Sequence, residues 1–151
     1  MQLCRIERRP KYRLKPRLKW ASLIAGCLSM AVTAAPAAGL AGSEWRPLWL
    51  GELGVEPVDG LFVRFEGAGR LAGYGGCNRL FGTYEMTDEA RLEIGPLGAT
   101  RRACPEPVMV REQALRDVLE RTRQFQRKRL ALILFDSNGE FLAELVQTDA
   151  D

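Results

Sequence analysis

Over most of the chain after residue 44, apolar residues alternate with polar ones in short runs separated by turn residues. In the segment LFVRFEG, which begins at Leu61, the first, third and fifth residues fall on one face of a strand, and the phenylalanine and arginine between them fall on the other. Trp45 and Trp49 in the first run are expected to be large core anchors. Asn138 and Gly139 predict the turn of a final hairpin. The pattern predicts about seven to nine short strands.

One stretch departs from this two-residue period. Pro105 and Pro107 mark the entrance of a helix, because proline is tolerated in a first helical turn. Apolar residues then recur at three- and four-residue spacing as far as Leu119. One helix cannot cover both faces of such a sheet, so the sheet must curl to protect its edges. The sequence therefore predicts an α+β, mainly antiparallel β fold: a partly closed meander pseudo-barrel with one amphipathic helix.

The first part of the chain has a different composition. Residues 1–19 carry eight lysines and arginines against one glutamate, and residues 20–43 carry no charge. A basic segment, an apolar stretch and then the small residues APAAG are typical of a secretory signal peptide. We therefore expect residues 1–42 to be a signal peptide or membrane-targeting leader and residues 43–151 to form the folded domain.

Three fates of this leader are compatible with the sequence. Ordinary cleavage would fall near Ala37–Ala41. The segment IAGC resembles a bacterial lipobox, which makes Cys27 a candidate lipid-attachment site. An uncleaved anchor is the third, because the uncharged stretch exceeds the roughly 20 residues that span a bilayer. Each fate places the domain outside the cytoplasm, in the periplasm or at the envelope, with membrane contact only through the leader or a lipid anchor.

The remaining charge argues against a nucleic-acid partner. The first 19 residues carry a net charge of +7 and the whole chain carries +3, so the rest of the chain carries −4. Affinity for nucleic acid comes largely from Lys and Arg that neutralise phosphates, so a mildly acidic body is not expected to bind it. The chain also has no histidine. We expect no cofactor and no metal site.

Cys77 and Cys104 are the two cysteines of the predicted domain. In an oxidising compartment such a pair indicates a disulfide first, which would contribute roughly 3.5 kcal/mol by closing a loop of about 28 residues. Two packed free thiols and a redox-active pair remain as alternatives. A Cys–His nucleophile cannot form without histidine, and no C-x-x-C spacing supports a zinc cluster.

Several of these segments occur together in a known pattern. An early W-x-x-L-x-L strand is followed by G-x-G-G-C-N-x-x-x-G-x-Y, L-x-I-G-x-L-x-x-T, an Ala-Cys pair, a helix with E-x-x-L-x-x-x-L and a final hairpin. They occupy Trp45–Leu50, Gly73–Tyr84, Leu92–Thr100, Ala103–Cys104, Glu112–Leu119 and Arg129–Leu145. The combination resembles the META domain, also called the HslJ-like domain.

This resemblance implies a β-rich pseudo-barrel with one helix, in exported or lipid-anchored bacterial proteins. The family is linked to heat stress and to envelope or antibiotic tolerance, and its fold is similar to that of a lipoprotein pilotin of type III secretion. It supplies no established biochemical activity. Arg102 departs from the pattern, because the family commonly carries an apolar residue there; the departure puts one core contact in question.

The motif residues of the resemblance are Gly75, Gly76, Asn78, Gly82, Thr100 and Glu112. Glycines beside Cys77 would allow positive φ or a close backbone approach at a barrel corner. The expected role of Asn78 is to stabilise the turn, with a ligand-facing amide as the alternative. Gly82 would restart the following strand.

The function predicted from the sequence is that of a non-enzymatic, stress-related binding or adaptor module of the cell envelope. Its partner would be a protein or a small hydrophobic ligand, and a thiol-redox role is the alternative. An enzyme is least favoured and no catalytic residue is expected, because the candidate acids occupy polar positions of strands. For Glu112, on the helix, we expect a capping role or an ion pair with Arg101 or Arg79. The acids considered are Glu52, Glu66, Glu85, Glu93 and Glu112.

Overall fold

The computed structural model describes residues 39–56, 60–87 and 90–149. The expectations for the leader, including Cys27, therefore lie outside the described residues. Within the described ranges, no helix is long and apolar enough to cross a membrane.

The described residues form ten strands and one long helix. The strands are β1 (Ser43–Leu50), β2 (Leu53–Gly54), β3 (Phe62–Phe65), β4 (Arg70–Tyr74), β5 (Arg79–Met86), β6 (Leu92–Ile94), β7 (Gly98–Ala99), β8 (Gln124–Lys128), β9 (Ala131–Phe135) and β10 (Phe141–Gln147). The helix α1 (Glu106–Arg121) lies between β7 and β8, and one 3₁₀ turn at Gly67–Gly69 joins β3 to β4. The strand count exceeds the expected seven to nine because β2 and β7, two residues each, are too short to show a period.

All strand pairs are antiparallel and follow the order β6-β5-β4-β3-β1-β10-β9-β8, with β2 on β1 and β7 on β5. The two ends of this sheet meet where Arg91 pairs with Gln124. Hydrogen bonds from Leu92 N to Arg123 O (3.2 Å) and from Phe125 N to Ala90 O (2.9 Å) flank that bridge. The barrel is therefore nearly closed along an incomplete seam, which confirms the predicted fold class.

The interior is filled by side chains from both the sheet and the helix. Trp45, Phe65 and Leu134 are completely buried, and Leu115 and Leu119 of α1 join the core. The helix begins beside the β4–β5 turn and leads directly into β8, so it lies across one end of the barrel. The predicted apolar stripe of α1 is confirmed.

The expectation that Trp49 is a core anchor is wrong. A β-bulge between Pro47 and Trp49 shifts the register of β1 against β10. The shift turns Leu50 into the core and leaves Trp49 half-buried, with its ring against Gly54 of β2. Alternation alone would have kept Trp49 in phase with Trp45.

The described fold begins at Gly39, and Leu40 is completely buried. The backbone N–H of Ser43 donates to Leu40 O (3.1 Å), and Gly42 N donates to Phe65 O (2.6 Å). Leu40 is thus held in the core by the residues that open β1.

Candidate functional site

The two cysteines join the β4–β5 turn to the segment before α1. Their sulfur atoms are 2.06 Å apart and their Cα atoms 6.0 Å apart, which is a disulfide. Cys77 is buried, and Cys104 is half-buried. The pairing predicted from the cysteine count is the pairing in the structure, and it fixes the start of the helix to the turn.

Asn78, the residue after Cys77, is buried and pairs with the chain before the helix. Its Oδ1 accepts hydrogen bonds from Arg102 N (2.7 Å) and Thr100 Oγ1 (2.9 Å). Its Nδ2 donates to Arg102 O (3.2 Å). The side-chain amide therefore binds both backbone groups of Arg102, as a neighbouring strand would.

The same asparagine binds the helix through Glu112, which is buried. Oε2 of Glu112 accepts from Asn78 N (2.7 Å), and Oε1 accepts from Asn78 Nδ2 (2.9 Å). The expected cap or ion pair with Arg101 or Arg79 is therefore wrong: both arginines are exposed, and neither forms an ion pair with Glu112 in the described part of the chain. We call Asn78, Thr100, Arg102 and Glu112 the Asn78 network.

Glycines make room for this network at the turn. A Cβ on Gly75 would overlap Cγ of Glu112 and lie 2.8 Å from its Oε2, so only glycine lets the carboxyl group reach Asn78. Gly76 has φ +95°, a backbone conformation that residues with a Cβ rarely adopt. The two roles expected for the glycines, close approach and positive φ, both occur here, at adjacent residues.

Gly82 and Thr100 act differently from one another. Gly82 lies inside β5 opposite Leu71, and a Cβ there would be 2.8 Å from Cδ2 of Leu97. Its role is the close packing of Leu97 on the strand, not the expected restart of the strand. Thr100 accepts a hydrogen bond from Arg79 N (3.1 Å) while it donates to Asn78.

Arg102 departs from the family pattern, but it does not remove a contact from the core. Its side chain is exposed, and the network uses only its backbone N–H and C=O. Any side chain that leaves the backbone in place preserves these two bonds, because neither involves the guanidinium group.

The chemistry of the network is that of a satisfied buried polar cluster. Both Glu112 oxygens and the Asn78 amide have partners inside the protein, and buried polar groups paired in this way stabilise a unique arrangement. Across the described residues, no group of three or more His, Cys, Asp or Glu side chains could hold a metal ion. Of the other acids considered, Glu85 and Glu93 lie opposite each other on β5 and β6, both exposed, and Glu66 pairs with Arg70 (3.5 Å).

Two ionisable groups outside the network have displaced pKa values. Burial raises the pKa of Tyr84, whose hydroxyl donates to Glu66 O (3.0 Å) and whose ring meets Phe65 edge-on at 5.0 Å. A hydrogen bond from the backbone N–H of Glu44 (2.9 Å) lowers the pKa of the Asp149 carboxyl.

The outer face of β3, β4 and β5 carries a feature that the strand predictions did not single out. Phe62, Tyr74 and Phe81 lie on this outer face together with Arg64 and Arg79. Phe81 is 56% exposed, the highest value among the exposed large apolar residues of the described chain. The alternation of LFVRFEG already placed a phenylalanine and an arginine on the face away from the core. This was the sequence signal from which the outer aromatic residues could have been predicted.

The fold and the site together define a small antiparallel pseudo-barrel, closed by one helix, whose motif residues hold the helix to the β4–β5 turn. The family model described as META domain matches residues 38–149, and the chain belongs to this family. No curated protein matches the chain.

A solved structure shows the same fold at low identity. A protein from Burkholderia xenovorans, determined by NMR, is 23% identical with a TM-score of 0.58, and the match covers 85% of this chain and 100% of that one. A more distant match, a DUF4847 family protein from Bacteroides vulgatus, is 14% identical over 62% of this chain and 63% of its own, with a TM-score of 0.48.

Proposed function

We propose that this META-domain protein is exported to the bacterial cell envelope, where it works as a non-enzymatic adaptor that binds a protein partner during stress. The observation that carries the proposal is that the motif residues and the outer aromatic residues have different roles in the fold. The motif residues are used internally, to hold the helix, while large aromatic side chains remain on the outer face of β3–β5.

Export is supported by the leader and the disulfide, and the burial of Leu40 limits where the leader can be cleaved. A basic segment followed by uncharged residues precedes the domain, and Cys77 and Cys104 are joined as expected in an oxidising compartment. Because Leu40 is completely buried, cleavage N-terminal to it leaves the core whole, whereas cleavage at Ala41 would remove a core side chain.

A protein partner is favoured over a small hydrophobic ligand. A ligand of that kind would need space inside the barrel, where Trp45, Phe65 and Leu134 are completely buried among the core side chains. The burial of Cys77 and the half-burial of Cys104 likewise favour a structural disulfide over a redox-active one, since exchange requires access to a sulfur.

The proposal can be tested on the full chain produced with a C-terminal tag in a bacterial host. We expect the tagged protein in the envelope fraction, with its N-terminus between Ala37 and Leu40 and with neither thiol alkylated under denaturing conditions before reduction. In vivo cross-linking should then yield a discrete adduct. Recovery of the chain from the cytoplasm with Met1 retained and both thiols alkylated would refute export, and the absence of any adduct would refute the adaptor role.

A further inference from the structure

The outer face of β3–β5 has the composition of a protein-binding surface for an acidic partner. We propose that this surface, formed by Phe62, Arg64, Tyr74, Arg79 and Phe81 and called here the arginine–aromatic face, docks a partner segment that carries carboxylates beside aromatic or aliphatic side chains. The inference rests on the proposed function and specifies where, and to what, the adaptor binds.

The strand register places these side chains in two adjacent rows. In the first row Phe62 lies opposite Tyr74, which lies opposite Arg79. In the second row Arg64 and Phe81 lie on either side of Ala72. Three aromatic and two guanidinium side chains therefore lie together on one pleated surface of three neighbouring strands, which are about 4.8 Å apart.

The aromatic rings of this face are held in place before any partner arrives. Phe81 lies against the backbone of Gly98, where a Cβ would be 2.9 Å from Cδ2 of the ring, so one side of the ring is covered and the other is open. The hydroxyl of Tyr74 donates to Gly76 O (2.7 Å), and the Phe62 and Tyr74 rings are 6.5 Å apart. Rigid side chains of this kind lose little conformational entropy on binding.

Charge favours an acidic partner at the end of the face next to the β4–β5 turn. Arg79, Arg101 and Arg102 are exposed there, and none of them has an ion pair in the part of the chain that the structure describes. Guanidinium groups bind carboxylates in a bidentate manner, and arginine, tyrosine and phenylalanine are the side chains enriched at protein interfaces.

The same charges argue against a polyanion such as nucleic acid. Arg64 is already paired with Glu44 (Nε to Oε2, 3.0 Å), and Arg70 with Glu66. A phosphate backbone would need a continuous row of free cations, which Glu44 and Glu66 interrupt. A protein segment with a few carboxylates placed near Arg79 meets no such obstacle.

Selection from a phage-displayed library of random linear peptides tests the proposal, with the purified, disulfide-bonded protein as bait. Selected peptides should be enriched in both acidic and aromatic residues. Their affinity, measured by fluorescence anisotropy, should fall at least about tenfold for Phe81→Ser and again for Arg79→Gln, the loss typical of an interface anchor. Leu130→Ser is the matched control, because Leu130 is 51% exposed on the β8–β9 turn and lies outside the face; its affinity should not change.

Three results would overturn the proposal. The first is a selection without acidic enrichment, and the second is equal binding by the wild type and both face variants. The third is that dextran sulfate or single-stranded DNA displaces the peptides and binds with the same affinity as they do. That result would identify a polyanion-binding surface instead. If Phe81→Ser leaves the envelope cross-link intact, the adaptor role stands and only this choice of surface is wrong.

Discussion

The contact between Gly75 and Glu112 leads to the most specific prediction, the effect of Gly75→Ala. The added methyl group would overlap Cγ of Glu112 and lie 2.8 Å from Oε2 in a buried site. The Glu112 side chain must then move, which breaks its bonds to both nitrogens of Asn78. Gly67→Ala is the matched control, because a Cβ on Gly67 meets nothing within 4 Å.

The magnitude follows from two effects. Overpacking a buried site costs about 1–3 kcal/mol. Leaving the buried Asn78 N–H without an acceptor costs about a further 1–3 kcal/mol. Gly75→Ala should therefore lower the free energy of unfolding by about 2–6 kcal/mol, and Glu112→Ala by about 2–4 kcal/mol through the lost hydrogen bonds and the unpaired N–H.

Urea denaturation followed by circular dichroism, with the disulfide intact, measures each variant and the double variant. Glu112→Ala removes the atoms that Gly75→Ala displaces, so the double variant should lose less than the sum of the single losses, by about 0.5–3 kcal/mol. Additive losses would refute direct contact between the two residues. A Gly75→Ala protein as stable as Gly67→Ala would refute the close approach itself.

Three further predictions concern the disulfide, the buried phenol and the bulge. Replacing Cys77 and Cys104 by serine should lower the free energy of unfolding by about 3.5 kcal/mol for a loop of this length, and an unchanged urea midpoint would contradict the pairing. Burial raises the pKa of Tyr84, so its protonated hydroxyl contributes to the free energy of unfolding. This contribution is complete below the pKa of the unfolded state, about 10, and is lost as the pH rises through the pKa of the folded state. Alkaline unfolding should therefore begin at higher pH in Tyr84→Phe, and an unchanged onset would speak against the buried phenol. Trp45→Ala should cost about 3–5 kcal/mol, and Trp49→Ala clearly less because its ring is half-buried; equal losses in thermal denaturation would contradict the bulge.

Much of the fold could be predicted because it depends on local patterns. Alternation located the main strands, the Asn138–Gly139 pair located the last turn, and three- and four-residue spacing located α1. The absence of a second helix then required a curled sheet. The bulge in β1 could not be predicted, since an inserted residue changes the phase of a strand without changing its composition.

The site was predicted only in part, for a related reason. The disulfide followed from the number of cysteines and the expected compartment. The partner of Glu112 did not follow, because Asn78 is 34 residues away and meets the helix only through the tertiary structure. Charge suggested an arginine partner, but arginines at the surface are solvated, whereas a buried carboxyl group is best satisfied by the fixed N–H groups of the turn.

Hydrogen exchange of the Asn78 backbone amide, measured by NMR, tests most directly whether Glu112 fastens the helix to the β4–β5 turn. Since this amide donates to Oε2 of Glu112 inside the protein, it should exchange as slowly as the amides of β9 in the wild type. In Glu112→Ala it should exchange much faster than the β9 amides, whose rates should rise only as far as the lower free energy of unfolding requires. Rapid exchange in the wild type, or a rate unaffected by Glu112→Ala, would contradict the account.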